Sequence, residues 1–407
     1  MIDFELSKQQ AKVKELAHQF AKYAIRPISL QADRDHRIPD DFMQRLNDMR
    51  SMMTMGEVPA EYGGEGGGVG EIKDKKGSSQ RNRVALVGAE ELAWGDISVI
   101  MSLPGPGLGG PPVQFTGTPE QQERFFSVFK KPGLHWGAYG LTEPSAGSDV
   151  AHIRTSCRKD RNEWVLNGTK CYITNGGRAD WVVIFATVDP ALGRAGHRAF
   201  VVEKGTPGFS VGKIEDKMGI RASETAELVL EDCRVPADNL LGGEAAYAEG
   251  KKGGFMSAMK TFDSSRPMVA VLGLGIARAA YEAARDYVRD HFVLGRAIPR
   301  YALLAEKLAD MKRSIDAARL MCWRAAWMAD EGVPNAKEAS MSKAYAAKVA
   351  MAVCRDAVQI LGAPGLEQNQ LVEKWYRDIK VFDIFEGTGQ IQRIVISKRI
   401  LRDQPTF

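Results

Sequence analysis

The hydrophobic period of this chain changes twice, and this change restricts its possible folds more than any other feature. Before about residue 135 and after about residue 250, apolar residues recur every three or four positions, which is typical of amphipathic helices. Between 136 and 240 they cluster in short β-branched runs separated by Gly, Pro and Asp. The pattern predicts an α+β protein that is mostly helical, with a helical domain at 1–135, a β-barrel or sheet domain at 136–240 and a helical bundle at 241–407.

Two capping boxes and two breaks organise the first region. Ser7–Gln10 and Thr118–Gln121 each place a hydroxyl residue three positions before a glutamine, which predicts a helix start. The helix that follows Ser7–Gln10 is expected to end at Pro27. The Gly- and charge-rich segment 62–83 is predicted as a surface loop, and the Pro/Gly segment 104–112 as an irregular connector.

The later regions have their own signals. Asn167-Gly168 between two apolar runs predicts a β-hairpin with a type I′ turn. Further strands of a small antiparallel sheet or barrel are expected at 182–188, 199–204 and 226–232. A helix is expected to start near 262–267. The apolar side of a bundle helix is expected at Leu304, Leu308, Met311, Ile315, Ala318 and Cys322.

Composition excludes several classes of protein. The net charge of +4 on 407 residues is spread along the chain, so no nucleic-acid partner is expected. No apolar run approaches the roughly 20 residues that cross a bilayer, so no membrane association is expected. The first ten residues resemble neither a signal peptide nor a transit peptide. Five cysteines without a CxxC pair indicate reduced thiols, which predicts a cytoplasmic location.

One motif is misleading. Gly105 to Gly110 matches the G-x-G-x-x-G dinucleotide fingerprint. That fingerprint needs a strand before it and a helix opening at its end. Pro104, Pro106, Pro111 and Pro112 argue against both, so we reject a nucleotide fold here. Metal-binding and serine-hydrolase patterns are absent from the sequence.

A glutamate follows an apolar run near the carboxyl terminus. Glu386 lies between Phe385 and Gly387, after Val381, Phe382 and Ile384. Desolvation there would raise the pKa of the carboxyl toward that of a general base, although a surface glutamate at a helix-to-helix turn is the alternative.

Two further segments offer groups for a flat ring or a phosphate. Thr142 and Ser148 lie in a small-residue loop, and Tyr172 and Thr174 lie at a strand end. Taken singly, an ordinary polar loop and a half-buried edge strand are the better explanations of these two segments.

In order and spacing, six segments resemble the acyl-CoA dehydrogenase family of flavoenzymes over roughly residues 5 to 403. They are YGLTEPSAGSDV (139–150), CYITNGG (171–177), KMGIRASET (217–225), FDSSRP (262–267), QILGAPG (359–365) and FEGTGQIQR (385–393). The resemblance implies the family fold, with a C-terminal four-helix bundle, FAD as cofactor and an acyl-CoA substrate. It also implies an oxidoreductase of fatty acid metabolism, a homotetramer built as a dimer of dimers, and an electron-transfer flavoprotein as electron acceptor.

The resemblance also assigns site residues. Glu386 matches the catalytic base, while Ser265 stands at an alternative base position and cannot serve as a base. Cofactor contacts are implied for Tyr139, Leu141, Thr142, Ser148, Tyr172, Thr174, Thr388 and Gln390. Contacts with the FAD of a neighbouring subunit are implied for Gln359 and Gly362. Substrate contacts are implied for Ser148, Asp263, Arg266 and Gly387. No metal is implied.

Departures from the family pattern keep alternatives open. His291, Leu294 and Ala302 replace residues that contact the cofactor across a subunit interface, which favours a flavin-poor subunit of a mixed oligomer. The Pro/Gly residues at 104–107 stand where relatives form the acyl pocket, so a bulky, branched or short acyl group is expected. An enoyl-CoA reductase would share the base and differ in its electron donor.

Overall fold

The computed structural model describes residues 2, 4–54, 79–248, 253–293, 296–297 and 301–402. For residues 49–54, 253–264, 292–293, 296 and 402 it describes the backbone alone. The predicted loop at 62–83 lies outside the described residues up to 78, and a helix already begins at Arg81.

The first region is helical. Its helices are α1 (Lys8–Phe20), α2 (Arg26–Asp35), α3 (Asp40–Thr54), α4 (Arg81–Gly95), α5 (Ile97–Met101), α6 (Gly110–Thr116) and α7 (Pro119–Phe126). Both predicted capping boxes are confirmed, with Ser7 and Thr118 accepting the backbone N–H of the glutamine three residues later. Each satisfies donors that a helix start would otherwise leave open.

Two proline-containing segments of this region led to wrong predictions. The first helix does not end at Pro27, because a π-helical turn at Ala21–Ile25 carries it directly into α2. In this turn the Arg26 N–H donates to the Ala21 carbonyl five residues earlier, and Pro27 lies in the first turn of α2. The segment 104–112 is not wholly irregular, since α6 starts at Gly110 with prolines in its first turn. That turn requires no backbone N–H donors.

The middle of the chain forms a curled seven-stranded sheet. Its strands are β1 (Gly137–Gly140), β2 (Ser156–Asp160), β3 (Glu163–Thr174), β4 (Trp181–Thr187), β5 (His197–Glu203), β6 (Phe209–Ile214) and β7 (Thr225–Pro236). The order is β1-β4-β2-β3-β7-β6, with β5 paired to β4. Most of its strand pairs are antiparallel, as predicted, but β1 and β2 each pair with β4 in the parallel direction.

The hairpin predicted at Asn167-Gly168 is also wrong. These residues form a bulge inside β3, where the register against β7 shifts between Leu166 and Gly168. Gly168 has φ +151°, and the Asn167 side chain bonds Asp232 of β7. The tight turn instead precedes β3 at Arg161, which has φ +55°. A turn dipeptide also suits a bulge, which needs the same positive φ.

The last region is a helical bundle. Its long helices are α8 (Gly253–Asp290), α9 (Ala302–Asp330), α10 (Ala336–Leu361) and α12 (Gly389–Arg402), with the shorter α11 (Leu371–Ile379) and a two-strand ribbon of β8 (Phe292–Val293) and β9 (Arg296–Ala297). The predicted side of α9 is confirmed, since Met311, Ile315, Ala318 and Cys322 are buried in the bundle core. The helix expected near 262 begins earlier, at Gly253, and passes through Pro267. The domain bounds themselves stay a prediction.

Three buried ionic residues join the regions. The Lys374 ammonium of α11 lies 2.7 Å from a carboxylate oxygen of Asp96, before α5, and 2.5 Å from Asp378. The other Asp378 oxygen accepts the backbone N–H of Ile220, 2.5 Å away, in the β-region. Burial alone would lower the pKa of Lys374, but the two carboxylates raise it above its ordinary value.

Candidate active site

The connection between α11 and α12 carries the candidate base. A 3₁₀ turn at Lys380–Asp383 follows α11, and Phe382 packs edge-on against Phe385 with ring centroids 5.0 Å apart. The chain then enters the left-handed region twice in succession, with φ +57° at Glu386 and +89° at Gly387. Such a conformation costs free energy for a residue with a Cβ atom, and it often marks a functional site.

The Glu386 carboxylate has polar and charged neighbours, although the residues before it in the chain are mostly apolar. The Ser265 hydroxyl of α8 donates a 2.5 Å hydrogen bond to its Oε2 atom. Burial raises the pKa of Glu386, although this hydrogen bond and the charges of Lys343 and Arg266 oppose the rise. The predicted upward shift is therefore confirmed. Burial and the charge of Glu386 together raise the pKa of Tyr139, which places this β1 residue near the carboxylate.

Two residues that sequence reasoning missed hold the backbone of this turn. The Lys343 ammonium of α10 donates to the Gly387 carbonyl at 2.7 Å. The Gln392 side-chain amide donates to the Glu386 and Gly387 carbonyls at 3.2 and 3.1 Å. A signal for Lys343 was available, because helical spacing from the buried residues Ala339 and Ala346 places it on the inner face of α10.

A second group of candidates surrounds the end of β3. The Tyr172 side chain is 66% exposed and its backbone has φ +58°. Thr174 and Thr142 are half-buried, and the Cys171 N–H donates to the Thr142 carbonyl at 3.0 Å. The structure therefore brings Thr142 beside the strand that carries Tyr172. An exposed ring next to two hydroxyls suits a flat heteroaromatic ligand.

A buried ion pair fixes the loop that carries Thr142. The Lys170 ammonium lies 2.7 Å from Glu143 and 3.2 Å from the Leu141 carbonyl. Glu143 also accepts the backbone N–H groups of Arg154 and Thr155 at 2.6 and 2.9 Å. Burial lowers the pKa of Lys170 to about 8, while Lys170 holds the pKa of Glu143 below its usual range despite burial. Leu141, a predicted cofactor contact, has a buried side chain, and its carbonyl is the one that Lys170 contacts.

Other predicted residues lie at the edges of this arrangement. Ser148 is exposed in the loop before β2, and Thr388 accepts the Ile391 N–H at the start of α12, where Gln390 is exposed. Arg266 is buried beside Ser340, 3.5 Å away. The Asp263 side chain lies outside the described residues.

The structure does not bring Gln359 and Gly362 to Glu386. Both are exposed at the end of α10, where Gln359 accepts a hydrogen bond from Lys307 at 2.6 Å. Gln359 stands 16 residues beyond Lys343, which corresponds to about 24 Å along a helix. The resemblance assigns them a contact with the cofactor of a neighbouring subunit, and this contact stays a prediction.

Two of the departures from the family pattern can be placed. His291 stacks on Tyr287, with ring centroids 3.7 Å apart, and Ala302 is exposed in the first turn of α9. Leu294 lies outside the described residues.

Within the described ranges, no helix combines the length and apolar character that crossing a membrane requires. The same ranges contain no cluster of three His, Cys, Asp or Glu residues able to hold a metal ion.

Three family models match nearly the whole chain. They are the acyl-CoA dehydrogenase N-terminal domain at residues 7–129, the middle domain at 138–233 and the C-terminal domain at 252–401. Their order follows that of the helical, β and helical regions described above.

Individual relatives are similar over their full length. The chain is 38% identical over 403 residues to an acryloyl-CoA reductase (NADH) of Anaerotignum propionicum. This match covers 98% of the present chain and 96% of that protein. It superposes on butyryl-CoA dehydrogenase from Megasphaera elsdenii with a TM-score of 0.86 and 36% identity, covering 98% and 100% of the two chains. It also superposes on a chain from a structure of the electron transferring flavoprotein of Acidaminococcus fermentans, with a TM-score of 0.86 and 37% identity. That match covers 99% of this chain and 100% of the other.

Proposed function

Because this chain belongs to the acyl-CoA dehydrogenase family, we propose that Glu386 is the base that removes the α-proton of the acyl-CoA substrate. The chain is an FAD-dependent oxidoreductase that converts an acyl-CoA to a trans-2-enoyl-CoA. One observation carries the assignment of the base. The half-buried Glu386 lies on a left-handed turn, desolvation raises the pKa of its carboxyl, and Ser265 donates a hydrogen bond to one of its oxygens.

The residues near β3 fit the flavin of FAD. An isoalloxazine ring offers a flat apolar face and a polar edge, which match the exposed Tyr172 ring and the hydroxyls of Thr142 and Thr174. We propose that these residues hold the flavin, with Tyr139, Leu141, Ser148, Thr388 and Gln390 contributing further contacts. Gln359 and Gly362 are proposed to reach the cofactor of a neighbouring subunit. When bound, FAD supplies an acceptor for the β-hydride.

The chain's own residues supply the acid-base chemistry. Glu386 accepts the α-proton on a carboxylate oxygen, and its raised pKa matches the base to a weakly acidic carbon. Ser265 fixes the orientation of that carboxylate. The backbone N–H of Glu386 is proposed to polarise the thioester carbonyl, which stabilises the negative charge that develops there. Ser148, Asp263, Arg266 and Gly387 are proposed to contact the substrate.

The similarity to an acryloyl-CoA reductase concerns the same chemistry in reverse. A base that removes the α-proton in one direction returns it in the other. The family models and the butyryl-CoA dehydrogenase structure support the oxidative direction for this chain. The intact positions Thr142, Tyr172 and Thr174 argue against a subunit that has lost its flavin.

The acyl group and the partners form the finer part of the proposal. Similarity to butyryl-CoA dehydrogenase supports a short acyl chain. Similarity to a chain from an electron transferring flavoprotein structure supports such a flavoprotein as electron acceptor. A homotetramer would supply the neighbouring subunit that Gln359 requires. A cytoplasmic location is supported by five cysteines that form no disulfide.

The proposed base is tested by replacing Glu386 with Gln, which keeps the shape of the side chain and removes its basicity. Turnover of butyryl-CoA by the FAD-loaded protein is followed with an artificial electron acceptor. We expect E386Q to lower kcat by about 10²- to 10⁴-fold, the range of a general base. Glu367→Gln, in an exposed segment after α10, is the matched control and should be unchanged. Wild-type turnover by E386Q would disprove the assignment.

A further inference from the structure

The turn that presents Glu386 cannot hold its conformation by local preference alone. Glu386 and Gly387 both have φ in the left-handed region, at +57° and +89°. A residue with a Cβ atom persists there only where its surroundings determine the backbone. A Cβ atom at Gly387 would meet Gln392 Nε2 at 2.6 Å, so the turn is also tightly enclosed on that side.

Two donors from different helices provide this support. Gln392 of α12 reaches both carbonyls of the turn through its Nε2 atom, at 3.2 and 3.1 Å. Lys343 of α10 donates to the Gly387 carbonyl at 2.7 Å, and its residue exposure is 1%. Burying an ammonium group so that it can donate to a backbone carbonyl costs free energy, because burial disfavours its charge.

The charge of Lys343 has a second set of neighbours. The charged groups that face it are Asp383 from the 3₁₀ turn, Glu386 from the left-handed turn and Arg266 from α8. Burial lowers the pKa of Lys343 to about 8, so it is charged at neutral pH. Two positive and two negative side chains therefore share this site, and the phenol of Tyr139 from β1 also faces Glu386. Of the positive charges that act on Glu386, loss of Lys343 would leave that of Arg266.

We propose that Lys343 is a positioning residue for the reaction at Glu386. It holds the left-handed turn through the Gly387 carbonyl, and its positive charge favours the ionised form of the neighbouring carboxylate. This inference rests on the proposed role of Glu386. Lys343 touches the backbone of the turn and acts on the reaction only through Glu386. Its removal should therefore change the pH at which proton abstraction begins, which a purely structural residue would not do.

The test separates the charge of Lys343 from its hydrogen bond. Lys343→Gln keeps a donor and removes the charge, whereas Lys343→Met removes both. Lys348→Met, at an exposed position of the same helix, is the matched control. The substrate is a short acyl-CoA analogue with sulfur in place of the β-carbon, which can lose an α-proton but has no β-hydride. Exchange of the α-hydrogens in D₂O is measured on the FAD-loaded protein by mass spectrometry between pH 5.5 and 9.

We expect the acid limb of the exchange profile to move to higher pH by on the order of 1 pH unit in K343Q, the scale expected for a nearby opposite charge. K343M should show the same shift and a lower plateau, because the turn has also lost a donor. K348M should follow the wild-type profile. If K343M does not fold, as judged by its thermal transition, K343Q alone decides the question.

The outcomes distinguish this inference from the function on which it rests. E386Q is measured in the same assay. Exchange by E386Q at the wild-type rate would reject Glu386 as the base, and with it the role of Lys343. If E386Q abolishes exchange while K343Q and K343M keep the wild-type acid limb, only the inference about Lys343 is overturned.

Discussion

Replacing Lys374 with Met should weaken the joint between the three regions. The ammonium lies between Asp96 and Asp378 at 2.7 and 2.5 Å, and all three side chains are at most 1% exposed. Methionine fills a similar volume but leaves two buried carboxylates facing each other. Removing one partner of a buried ion pair typically costs about 3–5 kcal/mol.

The size of the change in melting temperature follows from the length of the chain. An unfolding entropy of roughly 2.1 cal/mol/K per residue gives about 0.85 kcal/mol/K for 407 residues. A loss of about 3–5 kcal/mol then lowers Tm by about 4 to 6 °C. Differential scanning calorimetry at a fixed heating rate and protein concentration measures the change.

Two further variants make this prediction specific. Lys380→Met, exposed just beyond α11, is the matched control and should leave Tm unchanged. The double variant K374M/D378N removes one carboxylate as well and should recover part of the loss, because its residual buried charge is smaller. A K374M protein that melts within 1 °C of the wild type would refute the reasoning.

Two more predictions concern stability. E386Q should melt at a higher temperature than the wild type at pH 8, and the difference should vanish near pH 4. The raised pKa of Glu386 means that folding favours its protonated carboxyl. The stability that this gives the wild type is complete below the ordinary glutamate pKa and is lost as pH rises through the pKa of the folded protein. Equal differences at both pH values would contradict this. Gly275→Ala should lower stability by about 1–3 kcal/mol in urea unfolding, because its Cβ would lie 2.4 Å from the Glu90 carbonyl. Gly88→Ala, whose Cβ meets only an ordinary contact at 3.6 Å, is the control and should not destabilise the protein.

The sequence predicts features of the fold that local chemistry decides. Ser7 and Thr118 start helices because each caps its own first turn, and the apolar face of α9 needs only a regular period. Asn167-Gly168 was misassigned because a hairpin and a bulge require the same positive φ. Only the pairing with β7, some 65 residues away, decides between them.

The candidate site shows the same limit. The apolar run before Glu386 predicted an upward pKa shift, which is confirmed. Its polar partners come from α8 and α10, which lie 121 and 43 residues earlier in the chain. The Ser265 hydrogen bond and the Lys343 contact with the turn are therefore products of bundle packing. Nothing in the sequence near Glu386 encodes them.

Helix α10 is a single 26-residue rod that carries Lys343 near one end and Gln359 near the other. If Gln359 reaches the cofactor of a neighbouring subunit as proposed, this rod links the base of one active site to the flavin of another. Any shift of the rod that accompanies substrate binding in one subunit would then change cofactor affinity in the next. By thermodynamic linkage, loss of the cofactor from the second subunit would change the substrate affinity of the first by the same factor.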